Sequence, residues 1–176
     1  MTIKNFIEEL NKNLPTVNQV IAKYKQFNQD FNVDNVNNNL AKNTLRYNGG
    51  EFSMKVEDLI KNTNISSVGV GTLNFLSQLN HDDKGRGVFA NYNDYYNFAV
   101  QDDNAVVVFS DESDSVDVLS PTFEDFLIFL IEYSKGYGNL IFGTSYNKDQ
   151  SISTLKELIK RGFSERWIKE LTPYGS

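Results

Sequence analysis

The chain has 176 residues and a formal net charge of −6, and it contains one histidine and no cysteine. Without cysteine, neither a disulfide framework nor a thiolate metal site can form, and a single histidine excludes most zinc sites and catalytic triads. The length suits one domain, and no segment reads as a linker. These features predict a soluble globular domain, and no metal ion or cofactor is expected.

The N-terminal segment carries Glu8 and Glu9 and lacks the long apolar run of a secretory signal. No stretch approaches the ~20 apolar residues that a membrane-spanning helix needs. The expected location is therefore the cytoplasm.

Two amphipathic helices are predicted at the start of the chain, the first capped by Thr2 and the second opened by Leu14-Pro15. The asparagine-rich residues 28–43 favour turns and caps, so a loop or irregular segment is expected there. The apolar residues of the two helices recur at spacings of three and four, at Ile3, Phe6, Ile7 and Leu10 and at Val17, Val20, Ile21 and Tyr24.

A turn is predicted at Asn48-Gly49-Gly50, because these residues tolerate positive φ, with residues 44–47 and 51–54 as short strands on either side. One or two helical turns follow around Leu59, and residues 67–76 suggest another strand. The Val-Gly-Val-Gly pattern within that strand lacks the third glycine and the Lys-Ser/Thr pair of a phosphate-binding loop. Nucleotide binding is therefore not expected.

The central residues 95–100 and 105–109 are aromatic, β-branched or apolar, and turn-forming residues separate them, which predicts a hairpin. After a polar loop at residues 111–115, Ser120-Pro121 is expected to open a helix that ends at Gly136. Residues 116–119 are too short to classify. The apolar stripe of this helix should lie on the sheet, through Phe123, Phe126, Leu127, Leu130 and Ile131.

Two further helices are predicted after residue 150, one capped by Ser153 or Thr154 and ended by Gly162, the other begun by Ser164. Their apolar sides would be formed by Leu155, Leu158 and Ile159 and by Trp167, Ile168 and Leu171. The expected domain organisation is a single domain at residues 1–150 and a helical extension, residues 151–176, that packs on it.

Charge is uneven along the chain: residues 1–61 carry +1, residues 62–150 carry −9 and residues 151–176 carry +2. An acidic middle third argues against nucleic acid or an anionic membrane as a direct partner and favours a basic protein. Residues 81–83 and 111–117 contain metal-ligating side chains. The first three are consecutive and lead into a polar turn, and residues 111–117 lack the central glycine and distal glutamate of a calcium loop, so no metal is assigned.

Three segments resemble motifs of the SUKH superfamily, the immunity-protein group that also contains the yeast cell-wall synthesis regulator. Tyr47-Asn48-Gly49-Gly50 resembles its Asn-Gly-Gly turn, and residues 93–100 followed by 105–109 resemble its aromatic strand and valine-rich strand. Residues 120–127, Ser-Pro-Thr-Phe-Glu-Asp-Phe-Leu, resemble the start of its closing helix.

The resemblance implies an α+β fold in which an antiparallel sheet is flanked by helices, no catalysis, and the binding and neutralisation of a toxin domain, often a nuclease. It agrees with the charge pattern, because an acidic surface can occupy a basic active site. Tyrosines near the acidic turns would anchor such a contact. The expected partner-binding residues are Asp102, Asp103, Asp111, Glu112, Asp114, Asp117, Tyr92, Tyr95 and Tyr96.

Three alternatives remain open. A nucleic-acid mimic that inhibits a DNA-binding enzyme would space its acidic residues regularly along one long face. A hydrolase would need a partly buried carboxylate pair with raised pKa values at Asp82 and Asp83 or at Asp102 and Asp103. A regulatory module of cell-wall synthesis would bind a partner independently of these charges.

Overall fold

The computed structural model of the protein describes residues 1–27, 29–30, 32–50, 55–113 and 115–172. Its strands are β1 (Leu73–His81), β2 (Gly87–Tyr92), β3 (Tyr96–Val100), β4 (Val106–Ser110) and β5 (Val116–Ser120). Its helices are α1 (Ile3–Lys12), α2 (Val17–Gln26), α3 (Val33–Lys42), α4 (Val56–Asn62), α5 (Ile65–Val68), α6 (Phe123–Phe142), α7 (Lys148–Lys160) and α8 (Glu165–Leu171).

The strands form one antiparallel sheet in the order β1-β2-β3-β4-β5, so each strand pairs with its sequence neighbours. The predicted central hairpin is confirmed as β3 and β4, with Tyr96 opposite Ser110 and Val100 opposite Val106. Every residue of β4 is buried, as expected for a continuously apolar strand. The predicted α+β class, an antiparallel sheet flanked by helices, is confirmed.

Helix α6 packs against one face of the sheet through a cluster of phenylalanines. The ring of Phe126 lies 5.5 Å from that of Phe89 in β2 and 6.0 Å from that of Phe98 in β3, between centroids. All three side chains are fully buried. Because each ring removes a large apolar area from water, this contact is the centre of the core.

The opposite face of the sheet carries a smaller apolar cluster of Ala99, Val107 and Phe109. The guanidinium of Arg86 lies 3.6 Å from the centroid of the Phe109 ring. Asp82 holds this arginine in place, with 2.5 Å between Asp82 Oδ2 and Arg86 Nε. A guanidinium can shield an aromatic face while its charge stays paired, so Arg86 covers part of this second cluster.

The predicted start of α6 is wrong by two residues. Ser120 is the last residue of β5, and Thr122 is the N-cap, whose Oγ1 accepts a hydrogen bond from the N–H of Asp125 at 3.1 Å. The strand β5 explains the difference. It pairs with β4 over its whole length and so holds Ser120 in the sheet.

The predicted end of α6 at Gly136 is also wrong, because the helix continues to Phe142 and ends at Gly143, whose φ is +66°. Inside α6, a glycine instead allows close contact with another helix. A Cβ at Gly138 would lie 2.9 Å from the backbone oxygen of Asn13, at the end of α1. Glycine at this position lets the two helices approach each other.

Helix α7 packs on α6 and α8 lies against the sheet, with Leu155, Leu158, Trp167 and Ile168 buried. Ser164 is confirmed as the N-cap of α8. The N-cap of α7 is Asn147 rather than Ser153 or Thr154, so the helix begins nearly two turns earlier and the predicted boundary after residue 150 falls inside it. An asparagine also caps well, and sequence gave no reason to prefer it.

Two buried carboxylates of α6 hold α7 near both of its ends. Asp125 forms an ion pair with Arg161 at the C-terminal end of α7. Glu132 accepts a hydrogen bond from Ser151 in the second turn of α7 and pairs with Lys135 at 2.7 Å. Buried charges are tolerated only with such partners, so the pairs fix how α7 lies on α6.

Thr2 is confirmed as the N-cap of α1, and Thr16, next to the predicted Leu14-Pro15 start, caps α2. The prediction of a loop or irregular segment at residues 28–43 is wrong, because α3 occupies Val33–Lys42. The side chain of Asn32 caps α3, and Val36 is buried. Capping and burial override the low helix propensity of asparagine here.

In the segment before the sheet, the elements begin at other residues than predicted. Residues 65–68 form α5, a turn follows, and β1 begins at Leu73 rather than near residue 67. The helical turns predicted around Leu59 are confirmed as α4. Gly49 and Gly50 have the predicted positive φ. The strand predicted at residues 51–54 lies outside the described residues.

We expect Gly71→Ala to lower the free energy of unfolding by about 2–4 kcal/mol. Gly71 has a φ of +60°, and a Cβ there would lie 2.5 Å from Cε1 of the Tyr133 ring. Gly85→Ala is the matched control, since Gly85 has a φ of +79° and open space around the Cβ position. The unfolding free energy of the control should fall by only about 1 kcal/mol, because its alanine strains the backbone but meets no neighbouring atom. Equal losses in urea unfolding would contradict the contact with Tyr133.

Candidate functional site

The turns of the sheet alternate between its two ends. Residues 93–95 and 111–115 connect β2 to β3 and β4 to β5 at one end, which we call the acidic end. Residues 82–86 and 101–105 lie at the other, which we call the mixed-charge end. A five-residue strand separates the ends by about 17 Å, so the predicted partner-binding residues are divided between two surfaces.

The structure places Tyr92, Tyr95, Tyr96, Asp111 and Glu112 at the acidic end, with Asp117 further along β5. Asp102 and Asp103 lie at the mixed-charge end, and Asp114 lies outside the described residues. The nine residues therefore do not form one continuous site.

The acidic end is built on a tight turn between β2 and β3. Asn93 and Asp94 have φ values of +53° and +56°, which short polar side chains tolerate. The turn exposes Asp94 and Tyr95, and Tyr95 retains 46% of its accessible surface. Asp94 was missed by the sequence analysis, although the Asn-Asp pair beside Tyr95 was a turn signal.

The second turn of the acidic end lies beside the first. Asp111 and Glu112 are exposed, and the Nδ2 of Asn97 in β3 donates a hydrogen bond to Asp111 Oδ1 at 2.8 Å. This bond holds the Asp111 carboxylate next to the start of β3, close in sequence to Tyr95. Asp94, Asp111 and Glu112 are thus three exposed carboxylates in the turns at the end of the sheet that also carries the exposed Tyr95.

The tyrosines of the acidic end differ in their surroundings. Tyr96 packs edge to face on Trp167 of α8, with 4.9 Å between ring centroids, and Tyr92 packs partly buried against the main core. Tyr95 contacts Tyr96 at 4.7 Å and faces solvent. Only Tyr95 of these three therefore has the exposure that a partner anchor needs.

Asp117 joins β5 to the last helix instead of facing free solvent. Its Oδ2 accepts hydrogen bonds from Arg166 Nη1 at 2.9 Å and from Trp167 Nε1 at 3.1 Å. The N–H of Ser164 also donates to the backbone oxygen of Leu119 at 2.9 Å. Asp117 therefore holds α8 on the sheet edge, and its charge is paired within the protein.

At the mixed-charge end, Asp102 and Asp103 are exposed and share a shallow recess of about 360 Å³ with Lys84 and Arg86. Asp103 Oδ1 accepts a hydrogen bond from the N–H of Ala105, as in an Asx turn. Cations beside both carboxylates make this surface less attractive for a basic partner than the acidic end.

The carboxylate pairs considered for hydrolysis lack the environment that a general acid requires. Burial raises the pKa of Asp82, but hydrogen bonds from Arg86 and Lys84 and the Arg86 charge outweigh it, so the pKa lies below the ordinary value. A general acid needs the opposite shift. Asp102 and Asp103 are both exposed.

Among the residues that the structure describes, no three histidine, aspartate or glutamate side chains are grouped so that they could hold a metal ion. Within the described ranges, every helix is too short or too polar to cross a bilayer.

Replacing Asp82 should weaken the fold in a pH-dependent way. Because the pKa of Asp82 is lowered in the folded state, its stabilisation is present above the unfolded pKa near 4 and is lost as the pH falls through the folded pKa. Asp82→Asn should therefore lower the unfolding free energy by about 1 kcal/mol at pH 7 and by much less at pH 2.5.

The neighbouring exposed residue supplies the control, since Asp83→Asn removes an equal charge without breaking the contact with Arg86. Urea unfolding of the three proteins at pH 7, 5 and 2.5 measures the effect. A loss for Asp82→Asn that does not change with pH, or an equal loss for Asp83→Asn, would contradict the assignment.

Comparison of the chain with protein-family models, with curated proteins and with solved structures found no match.

Proposed function

We propose that the chain is a non-catalytic binding protein that recognises a basic protein through the acidic end of its sheet. The proposed role is that of an immunity protein that neutralises a toxin domain, with a nuclease domain as the leading case. The observation that supports the proposal is that the exposed residues Asp94, Asp111, Glu112 and Tyr95 all lie in the turns at one end of the sheet. The resemblance to the SUKH superfamily supports the same role.

The physical basis is electrostatic complementarity. Exposed carboxylates attract a basic partner, raise the association rate and exclude partners of like charge. A nuclease active site binds phosphates and is therefore basic, so it offers the opposite potential. Tyr95 adds an aromatic surface that can be buried when the complex forms.

The arrangement of charges favours this role over a nucleic-acid mimic. A mimic would present carboxylates at regular intervals along one face, whereas here they group in turns at opposite ends of the sheet. Lys84 and Arg86 also interrupt the acidic residues at the second end. A cytoplasmic location, and partners other than nucleic acid or membrane, belong to the same proposal.

Affinity capture from the native host, with elution at low and moderate salt and identification by mass spectrometry, tests the proposal. The wild-type chain should retain one basic protein whose release follows the screening of surface charge. The double variant Asp111→Asn/Glu112→Gln should lose it. The matched control Asp102→Asn/Asp103→Asn removes the same charge at the mixed-charge end and should retain it.

With the captured protein purified, the association rate of Asp111→Asn/Glu112→Gln should fall about tenfold at low salt, and this difference should shrink at high salt. Co-expression should also protect cells from the captured protein. Three results would contradict the proposal: no specific partner, equal retention by both double variants, or partners from cell-wall synthesis that bind regardless of these charges.

A further inference from the structure

A cleft of about 840 Å³ opens between the N-terminal helices and the end of α6, and none of the described residues that line it belongs to the turns of the acidic end. Helices α1, α2 and α3 contribute three of its walls. The C-terminal half of α6 and the turn at residues 68–71 complete it. A volume of this size is in the range of small-molecule sites, which are about 300–1,000 Å³.

Hydrogen bonds between the walls fix the shape of the cleft. The Asn11 side chain donates to the Leu45 backbone oxygen at 2.8 Å and accepts from the Leu45 N–H at 2.9 Å, which joins α1 to the segment after α3. Asn13 Nδ2 donates to Ser134 Oγ of α6 at 2.8 Å. The walls are thus held by specific polar contacts between separate elements.

Helix α2 turns its apolar side toward the cleft. Its apolar residues recur at helical spacing, yet the structure buries no residue of α2. Val20, Tyr24 and Phe27 line the cleft instead, opposite Tyr137 and Ile141 of α6. An amphipathic helix normally packs its apolar stripe against the core. Because these residues are not covered in that way, they present an apolar surface to a ligand in the cleft.

The charges of the lining have one sign. Among the described residues of the lining, Lys23 and Lys42 are charged and none is an aspartate or glutamate, in a chain with a net charge of −6. Lys23 is half-buried, and its Nζ lies 5.2 Å from the centroid of the Phe27 ring. The cleft therefore combines an apolar surface with a positively charged group that lies beside it.

We propose that this cleft binds a small amphiphilic carboxylate, with its apolar chain between α2 and α6 and its carboxylate paired with Lys23. The apolar lining removes the chain from water, and a partly buried ammonium forms a charge-assisted hydrogen bond with the head group. A small molecule fits better than an acidic helix from another protein, because five separate elements surround the cleft. This site is independent of the acidic end and of the function proposed for it.

Titration with parinaric acid, a fatty acid whose polyene chain fluoresces when it enters an apolar site, tests the proposal on the full chain. Wild-type protein should bind one equivalent. Lys23→Gln should weaken binding of the acid about tenfold, because it removes one charged hydrogen bond. The methyl ester should bind the wild type about tenfold more weakly than the acid does, and Lys23→Gln should not weaken it further.

Two variants control the measurement. Lys25→Gln removes the same charge from the exposed side of α2, outside the lining, and should bind as the wild type does. Val20→Trp places an indole in the cleft and should reduce binding of both the acid and the ester. Circular dichroism checks that each variant is folded.

Several outcomes would overturn the proposal: no saturable binding to the wild type, equal affinities for acid and ester, or an affinity for the acid that Lys23→Gln leaves unchanged. Vesicles of phosphatidylglycerol distinguish a free carboxylate from a membrane lipid. The protein should not sediment with them, and sedimentation that depends on Lys23 would also contradict binding of a free ligand.

Discussion

The packing of α6 on the sheet is the contact on which the rest of the molecule depends. Phe126 touches rings from two adjacent strands, and all three phenylalanines are completely removed from water. A fully buried aromatic side chain contributes roughly 2–3 kcal/mol by transfer alone, so three in mutual contact dominate the local stability. The positions of the other helices depend on how α6 lies on the sheet.

From that centre, α6 organises its two ends differently. Its N-terminal half carries the buried carboxylates Asp125 and Glu132, which attach α7 through specific ion pairs and hydrogen bonds. Its C-terminal half carries glycines, which allow α1 to approach closely near Asn13. The N-terminal half of α6 is therefore joined to α7 by charged groups and packs tightly. The C-terminal half leaves the cleft open between α6 and α2.

Local patterns predicted those elements whose periodicity and caps agree, such as α1, α8 and the hairpin of β3 and β4. They failed where tertiary contacts decide. The asparagines of α3 have weak helix propensity, which capping and the burial of Val36 offset, and Gly136 resembles a helix end although α6 continues past it to Phe142. The sequence was therefore sufficient to predict the fold class, but not the residues at which the helices and strands begin and end.

The candidate site shows the same limit. The acidic turns and tyrosines were recognised as residues, but their grouping depends on which end of the sheet each turn occupies. Strand β2 went unrecognised, so nothing indicated that Lys84 and Arg86 would lie beside Asp102. Asp117 read as a free carboxylate because its partner Arg166 is 49 residues away in the chain.

The contacts of Asp117 and Leu119 with α8 and the residue before it have a further consequence for the sheet. Strand β5 is an edge strand, and an open edge can pair with a strand of another molecule. Ser164 occupies the backbone oxygen of Leu119, and Arg166 and Trp167 lie over the adjoining residues. The last helix thus covers part of this edge, and a chain that lacked it would leave the Leu119 backbone oxygen free beside Val116 and Val118, which are already exposed.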